Sequence, residues 1–444
     1  MSTSILNNSS AECFMQAVDH FRELYGNHLP AQKSLQTNAA AVFTQLGIPT
    51  TKHEEWKYTS LAVLAKNNYR TVNPSHNCSL SKSDVASLAL TKDTLLYVIE
   101  NGKFNASASN GHALPTGITI GSLADMAGDP RVQNHLMKHA DFSEESLVAL
   151  NTALSFDGVV IIADAKTECA TPIQIAVINN TAGEALNIPV RILVVAEKNA
   201  VFNVVETHHS FGVKSPVLVN VVSEVVIAEQ ARVNYIKLQD EDQNTCHVNY
   251  HKVNMARDSY QHISTLTWGG GLVRNNLNIR LDDVNCTSYL NGLTIAKDFQ
   301  VIDHHTVVDH AMPNCYSNEL YKGIIDGHAQ GVFNGKIFVR KDAQKTNAFQ
   351  SNKNVLLSDD ASMNTKPQLE IFADDVKCSH GATTGQIDEE ALFYLRARGI
   401  GEASARALLN HAFAADVIEQ IPDENLKAVL LDRLFGNSFG AAMQ

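Results

Sequence analysis

Between residue 158 and about residue 375 the chain shows no convincing helical period, which constrains its fold more than any other feature. Runs of β-branched residues recur instead, at Val159–Ile162, Ile173–Ile178, Val190–Val195, Val201–Val205, Val217–Ile227 and Val233–Leu238. Strand-like segments continue through Ile263–Leu266, Leu277–Leu281, Val301–Val308, Val332–Val339 and Leu369–Phe372. Their connections are short and rich in Asn, Asp and Gly. A sandwich, a propeller and a β-solenoid all fit that texture. No Trp-Asp blade motif recurs at a fixed period. Many short strands separated by one or two polar residues favour the solenoid, whose coils bury their inward faces on one another.

Helical signals flank this region. Ser9 with Glu12 reads as a capping box, followed by Phe14, Val18 and Phe21 on one face. A second helix carries Ala39, Val42, Phe43 and Leu46 and is stopped by Gly47 and Pro49. A third amphipathic stretch runs from Glu54 to Lys66. Leu95–Ile99 reads as a strand, Lys103–His112 as a loop and Glu144–Ala153 as a short helix. Near the C-terminus Asp388 opens a helix with Leu392 and Leu395, ended by Gly399 and Gly401. Ala405, Leu408, Leu409 and Ala412 form a stripe on the next helix. Pro422 and Asp423 open a last one with Leu426, Val429, Leu430 and Leu434 on one face and Arg433 near its end. The tail Gly436–Gln444 is expected to be loose. The divisions expected are an N-terminal helical domain (1–95), a mixed connection (96–157), the β core (158–385) and a C-terminal helical domain (386–444). The last is expected to cap the final coil.

The formal charge of −12, from 35 basic and 47 acidic residues, argues against a nucleic-acid or anionic-membrane surface. No apolar run approaches the ~18 residues of a membrane span. The start lacks a basic segment followed by an apolar one, so a cytoplasmic protein is expected. Seven cysteines without a C-x-x-C pair exclude a disulfide framework and a single-chain cluster ligand set.

Two phosphate-binding patterns are absent. Asn334-Gly335-Lys336 lacks the first glycine of a Walker loop, and Gly269-Gly270-Gly271 does not open a helix. ATP chemistry by this chain alone is therefore not expected. Histidine is plentiful, with 18 copies. His208-His209 and His304-His305 are adjacent pairs, with His310 and His328 nearby. On a strand His304 and His310 face one side and His305 the other. They could bind a metal or be outward or satisfied core positions. In Cys378-Ser379-His380 the thiol and imidazole share a face if the segment is extended. Both suit iron, yet two ligands are half a site, so others must come from a partner or distant strands. A buried cysteine beside a surface histidine is the plain alternative. The acid pairs Asp282-Asp283, Asp359-Asp360 and Asp374-Asp375 fit turns better than catalysis.

Residues 374–401, DDVKCSHGATTGQIDEEALFYLRARGIG, resemble the C-terminal signature of the SufB/SufD family of the SUF iron–sulfur assembly machinery. Cys-Ser-His-Gly-Ala within it resembles the SufD form of that signature. HEEWKYTSL at His53–Leu61, LNTALSFDG at Leu150–Gly158, DHHTVVDH at Asp303–His310 and YKGIIDGHAQGVFNGKIFV at Tyr321–Val339 are similar too. The resemblance implies a right-handed parallel β-helix with helical domains at both ends. It implies a non-catalytic scaffold subunit, paired with SufB and docked to the ATPase SufC in a 1:2:1 complex. His380, with Cys378 beside it, falls where the family places cluster ligands at the SufB interface. The chain alone would hold no cofactor; an iron–sulfur cluster would form transiently at that interface, and reduced flavin belongs to the complex. SufC docking maps onto Asp388–Phe435, including Leu392, Leu395, Arg396, Leu408 and Leu409. An unsatisfied β-helix edge would also let the isolated chain self-pair.

Two rival readings make different demands. A β-solenoid carbohydrate enzyme needs converging acids and a secretion signal. A stand-alone His-rich metal-binding enzyme needs stoichiometric, tightly bound metal in the isolated chain, lost on mutating His304 or His310.

Overall fold

The computed structural model describes residues 29–67, 69–110 and 114–435, together with Phe14, Gln16, Val18, Asp19 and Phe21. The Ser9–Glu12 capping box and the tail from Gly436 lie outside the described residues.

Successive strands alternate between two ten-stranded sheets, so each coil of the chain contributes one strand to each. The result is a β-solenoid of about eight turns with helices at both ends of the chain. In the first sheet, Leu186–Ala196 pairs in parallel with Val217–Ile227, and the series runs on to Gln330–Val339 and Ser362–Ile371. In the second, Val201–Phe211 pairs with Arg232–Asp240, and the series ends with Asn347–Leu356 and Lys377–Gly385. Parallel strands in register stack side chains in columns along the solenoid. Tyr235, Ile263, Leu290, Glu319, Gln350 and His380 form one such column.

The turns explain why Asn, Asp and Gly crowd the connections. At the corner leading from the first sheet to the second, Asn199, Asp258, Asn285 and Asn314 all have φ between 58° and 62°. Asn and Asp tolerate this left-handed conformation better than other side chains. The N–H of each turn residue bonds the next coil, as Asn199 to the Glu229 carbonyl and Asp258 to that of Val284.

The space between the sheets is apolar over the early coils, with Ile175, Val204, Val219 and Val253 among its buried residues. It becomes polar further along, where His208, Lys237, Asn249, His251 and His304 are all buried. The outer faces are covered differently. Helix Lys33–Leu46 packs with helix Ser146–Leu154, and Asn151 of the latter donates to the carbonyls of Val190 and Asn220. Arg191 and Glu224 form a fully buried 2.7 Å ion pair beneath this layer. The stretch from Glu54 to Lys66 is two 3-10 helices, Glu54–Trp56 and Leu61–Lys66, rather than one amphipathic helix.

The three C-terminal helices, Glu389–Ala397, Glu402–Ile418 and Glu424–Phe435, begin as the sequence indicates. The Asp388 carboxylate caps the first, accepting from the N–H groups of Glu390 and Ala391. Asp423 caps the last through Asn425 and Leu426. Their position corrects the expectation of an end cap. Ala414, Val417, Ile418, Leu426 and Leu430 pack with Ile236, Leu266 and Leu293 on the outer face of the second sheet. The last coil is left uncovered by them. The stripe on Glu402–Ile418 is also turned: Ala405 is buried, while Leu408 and Ala412 face outward. An alanine-rich helix has a weak apolar direction, and Ala414, Val417 and Ile418 decide which face meets the sheet.

Candidate functional site

The two ends of the solenoid differ. At the first end, Ile118–Ser122 pairs antiparallel with Val159–Ala163 and closes the first sheet. At the other, Ser362–Ile371 and Lys377–Gly385 are the outermost strands of their sheets among the described residues. Lys377–Gly385 is mostly exposed, and Ile371 and Phe372 beside it are 39% and 58% exposed. Unpaired strand edges of this kind are templates for another chain.

Cys378 and His380 both lie on this edge strand, in register with Ala348 and Gln350. Ala348 and Gln350 are buried between the sheets, so Cys378 and His380 share their inward face at the open end. His380 is exposed. Cys378 is half-buried against Leu369, Val376 and Ala373, and burial raises its thiol above the usual range. Below His380, Gln350 donates to Glu319 Oε2 at 2.7 Å. Burial raises the Glu319 carboxyl to about 7, against the pull of its hydrogen bonds.

The strand histidines divide as the period of two requires. His304 and His310 are buried on the inner face, and His310 Nε2 meets Ser317 Oγ at 2.9 Å. Six residues of extended chain separate them by ~20 Å, so they cannot share an ion. His305 faces outward to Glu55 at 3.3 Å and Asp303 at 3.1 Å. His209 also faces outward, whereas His208 faces inward. His328 is exposed and stacks on Phe299. Cys169, Cys246, Cys286 and Cys315 are buried free thiols.

Two sequence motifs meet on the outer face of the first sheet. Arg274 pairs with Asp303 at 2.6 Å, both buried, and its guanidinium lies 4.4 Å from the Trp56 ring centre. Thr59 donates to the same Asp303 carboxylate, and Arg274 also donates to the Glu55 carbonyl at 2.8 Å. The HEEWKYTSL segment is thus a strap fastened over DHHTVVDH. Arg274 and His305 hold the Asp303 carboxyl well below the usual range despite its burial.

Within the solenoid lies a charged network that local spacing did not reveal. His208 Nε2 is 2.6 Å from Glu206 Oε1, and Tyr235 donates to the other Glu206 oxygen. Lys237 Nζ is 3.2 Å from both Glu206 Oε1 and His247 Nε2. Asn179 and Gln239 donate to the two oxygens of Glu241 at 2.7 and 2.8 Å. Burial pushes His247 down to about 4. Burial works most strongly against ionising Glu206, but Lys237, His208 and His251 together outweigh it and hold that carboxyl well below its usual value.

The residues expected to dock a partner spread over two environments. Leu392 is 2% exposed and packs with Ile387 and Ala405; Leu395 and Leu409 pack partly against the same cluster. Arg396 is exposed and lies 3.2 Å from Glu402. Leu408 is exposed, and so are Phe393 and Tyr394, which sequence reading passed over. Their signal was present: Phe393 and Tyr394 fall off the Leu392–Leu395 stripe, where a solvated helix face would be polar.

A parallel β-solenoid with one open end and flanking helices defines the class. The sequence comparisons give its family. Residues 177–413 match the SufBD core domain of SUF-system FeS cluster assembly, and residues 9–175 match the SufBD protein N-terminal region. The chain is 33% identical to an iron–sulfur cluster assembly SufBD family protein of Synechocystis, over 88% of each chain. It is 31% identical to the iron–sulfur cluster assembly protein SufD of Escherichia coli, over 87% of this chain and 89% of that one. A chloroplast protein of Arabidopsis thaliana, ABCI7, is 27% identical over 90% of this chain and 84% of its own. The chain belongs to the SufBD family of iron–sulfur cluster assembly proteins.

Proposed function

We propose that this chain is the SufD-type, non-catalytic scaffold subunit of a cytoplasmic SUF complex. Its open solenoid end pairs with SufB, and a nascent iron–sulfur cluster forms at that junction as cargo. The observation that carries this reading is the uncovered terminal coil with Cys378 and His380 on its inward face. Two ligand types on one edge need the rest of the set from an opposing chain. His380 is the proposed ligand, with Cys378 the weaker second. No described helix is long and apolar enough to cross a membrane.

SufC, in two copies, is proposed to dock on the C-terminal helices and to supply the ATP hydrolysis for which this chain has no Walker loop. Phe393, Tyr394 and Leu408 are the exposed apolar groups there. Any bias that SufC exerts on the SufB junction must come from contacts that differ between its nucleotide states. Reduced flavin, where it acts, belongs to the assembled complex. The test is cluster formation by the co-expressed complex: His380→Ala should abolish it with assembly intact. Normal cluster yield with that variant would contradict the reading.

A further inference from the structure

We propose that His208, Glu241 and His247 form a binding site for one first-row divalent transition-metal ion inside the solenoid, remote from the open end. One ligand atom from each lies within 4.8 Å of the others, and all three side chains are buried. They come from different parts of the fold: His208 from strand Val201–Phe211, Glu241 from the turn after Arg232–Asp240, and His247 from Thr245–Met255 of the opposite sheet.

Hydrogen bonding leaves the group incomplete. His208 has no exposed surface, and its Nε2 is held by Glu206, yet its Nδ1 has no partner. A histidine anchored through one nitrogen by a carboxylate, with the other lone pair open, is the usual arrangement of a metal ligand. His247 Nδ1 lies 2.8 Å from Glu241 Oε2. Neighbouring ligands of one ion at ~2.0–2.2 Å are themselves roughly 3 Å apart, so this contact suits a shared ion. Asn179 and Gln239 fix the Glu241 carboxylate as supporting groups do. Two imidazoles and a carboxylate suit zinc or ferrous iron rather than calcium or magnesium. Metal at His247 Nδ1 requires its Nε2–H tautomer. Lys237 then turns wholly to Glu206, which it already approaches at 3.2 Å.

One of the three residues also lines a surface cavity. Glu241 lines a cavity of about 750 Å³ between the second sheet and the last helix, with Trp268 and Arg433 on its walls. Asp240, Asp242 and Asp326 also line it. Against Lys297 and Arg433 the four carboxylates leave this cavity net acidic, which raises the local concentration of a cation beside Glu241.

The experiment uses the full chain alone, stripped by chelator and dialysed against Co²⁺ as the probe. One Co²⁺ per chain is expected, with a visible spectrum of nitrogen and oxygen ligation. His208→Gln and His247→Gln should lose it, and Glu206→Gln should weaken binding about tenfold. His380→Ala should retain it in full, which separates this site from the open end. Absence of bound Co²⁺ in the wild-type chain overturns the proposal, as does full binding by a folded His208→Gln/His247→Gln chain. If those variants do not fold, pulsed electron paramagnetic resonance of the wild-type Cu²⁺ form decides. Two imidazole couplings support the site, and fewer overturn it.

Discussion

Gln350 stands directly beneath His380 in the register of the second sheet and donates to Glu319 at 2.7 Å one coil further in. The proposed ligand therefore rests on two buried polar side chains, Gln350 and Glu319, before the column turns apolar at Leu290. Glu319 is buried there, and its carboxyl keeps its proton to higher pH than usual.

That carboxyl makes stability depend on pH. Burial raises it to about 7 in the folded protein, from 4.5. Between these values the unfolded chain gives up its proton and the folded chain keeps it. Stability thus falls as pH rises through the window, by roughly 3 kcal/mol once pH exceeds 7. Glu319→Gln should remove this loss. Melting temperatures of both proteins at pH 5 and pH 8 test it: the variant should gain on the wild type as pH rises, and parallel profiles would count against it.

The strap over the first sheet should be energetically significant. Asp303→Ala leaves Arg274 buried without its carboxylate and should cost about 3–5 kcal/mol. Denaturant unfolding measures this. The pair should also weaken in acid, because Asp303 ionises below its ordinary value and its contribution is lost only as pH falls through the folded value.

The C-terminal helices allow docking and folding to be separated. Leu392→Ala empties a buried site and should destabilise by about 2–5 kcal/mol. A Phe393→Ala/Tyr394→Ala/Leu408→Ala chain should melt within about a degree of the wild type, since exposed positions contribute little. It should nonetheless bind SufC at least tenfold more weakly in a titration. Unchanged affinity would move the docking face elsewhere.

At the open end, His380→Ala should stop cluster formation, and Cys378→Ala should reduce it less. Iron and acid-labile sulfide per purified complex report both. Equal loss from the two variants would make the thiol a ligand of the same rank.

The early coils were legible because Val and Ile fill both faces of strands such as Val217–Ile227. Thr245–Met255, Thr287–Ala296, Tyr316–Ile325 and Asn347–Leu356 were passed over. Their inward positions carry Asn249, His251, Ser288, Glu319, Gln350 and Asn352, so hydrophobic alternation fails where the interior turns polar. The placement of Cys378 and His380 on one face followed from their spacing of two. His208, Glu241 and His247 shared no such spacing. Only the stacking of coils brings them together, and the adjacent pair His208-His209 was the sole local hint.

The most direct measurement is native mass spectrometry of this chain co-expressed with SufB and SufC from the same cell. The account predicts a complex with one copy of this chain, one SufB and two SufC. Exchange of Phe372 and Ile371 for Asp at the open end should break the pairing with SufB. Recovery of this chain alone, or a complex indifferent to those exchanges, would contradict the scaffold reading.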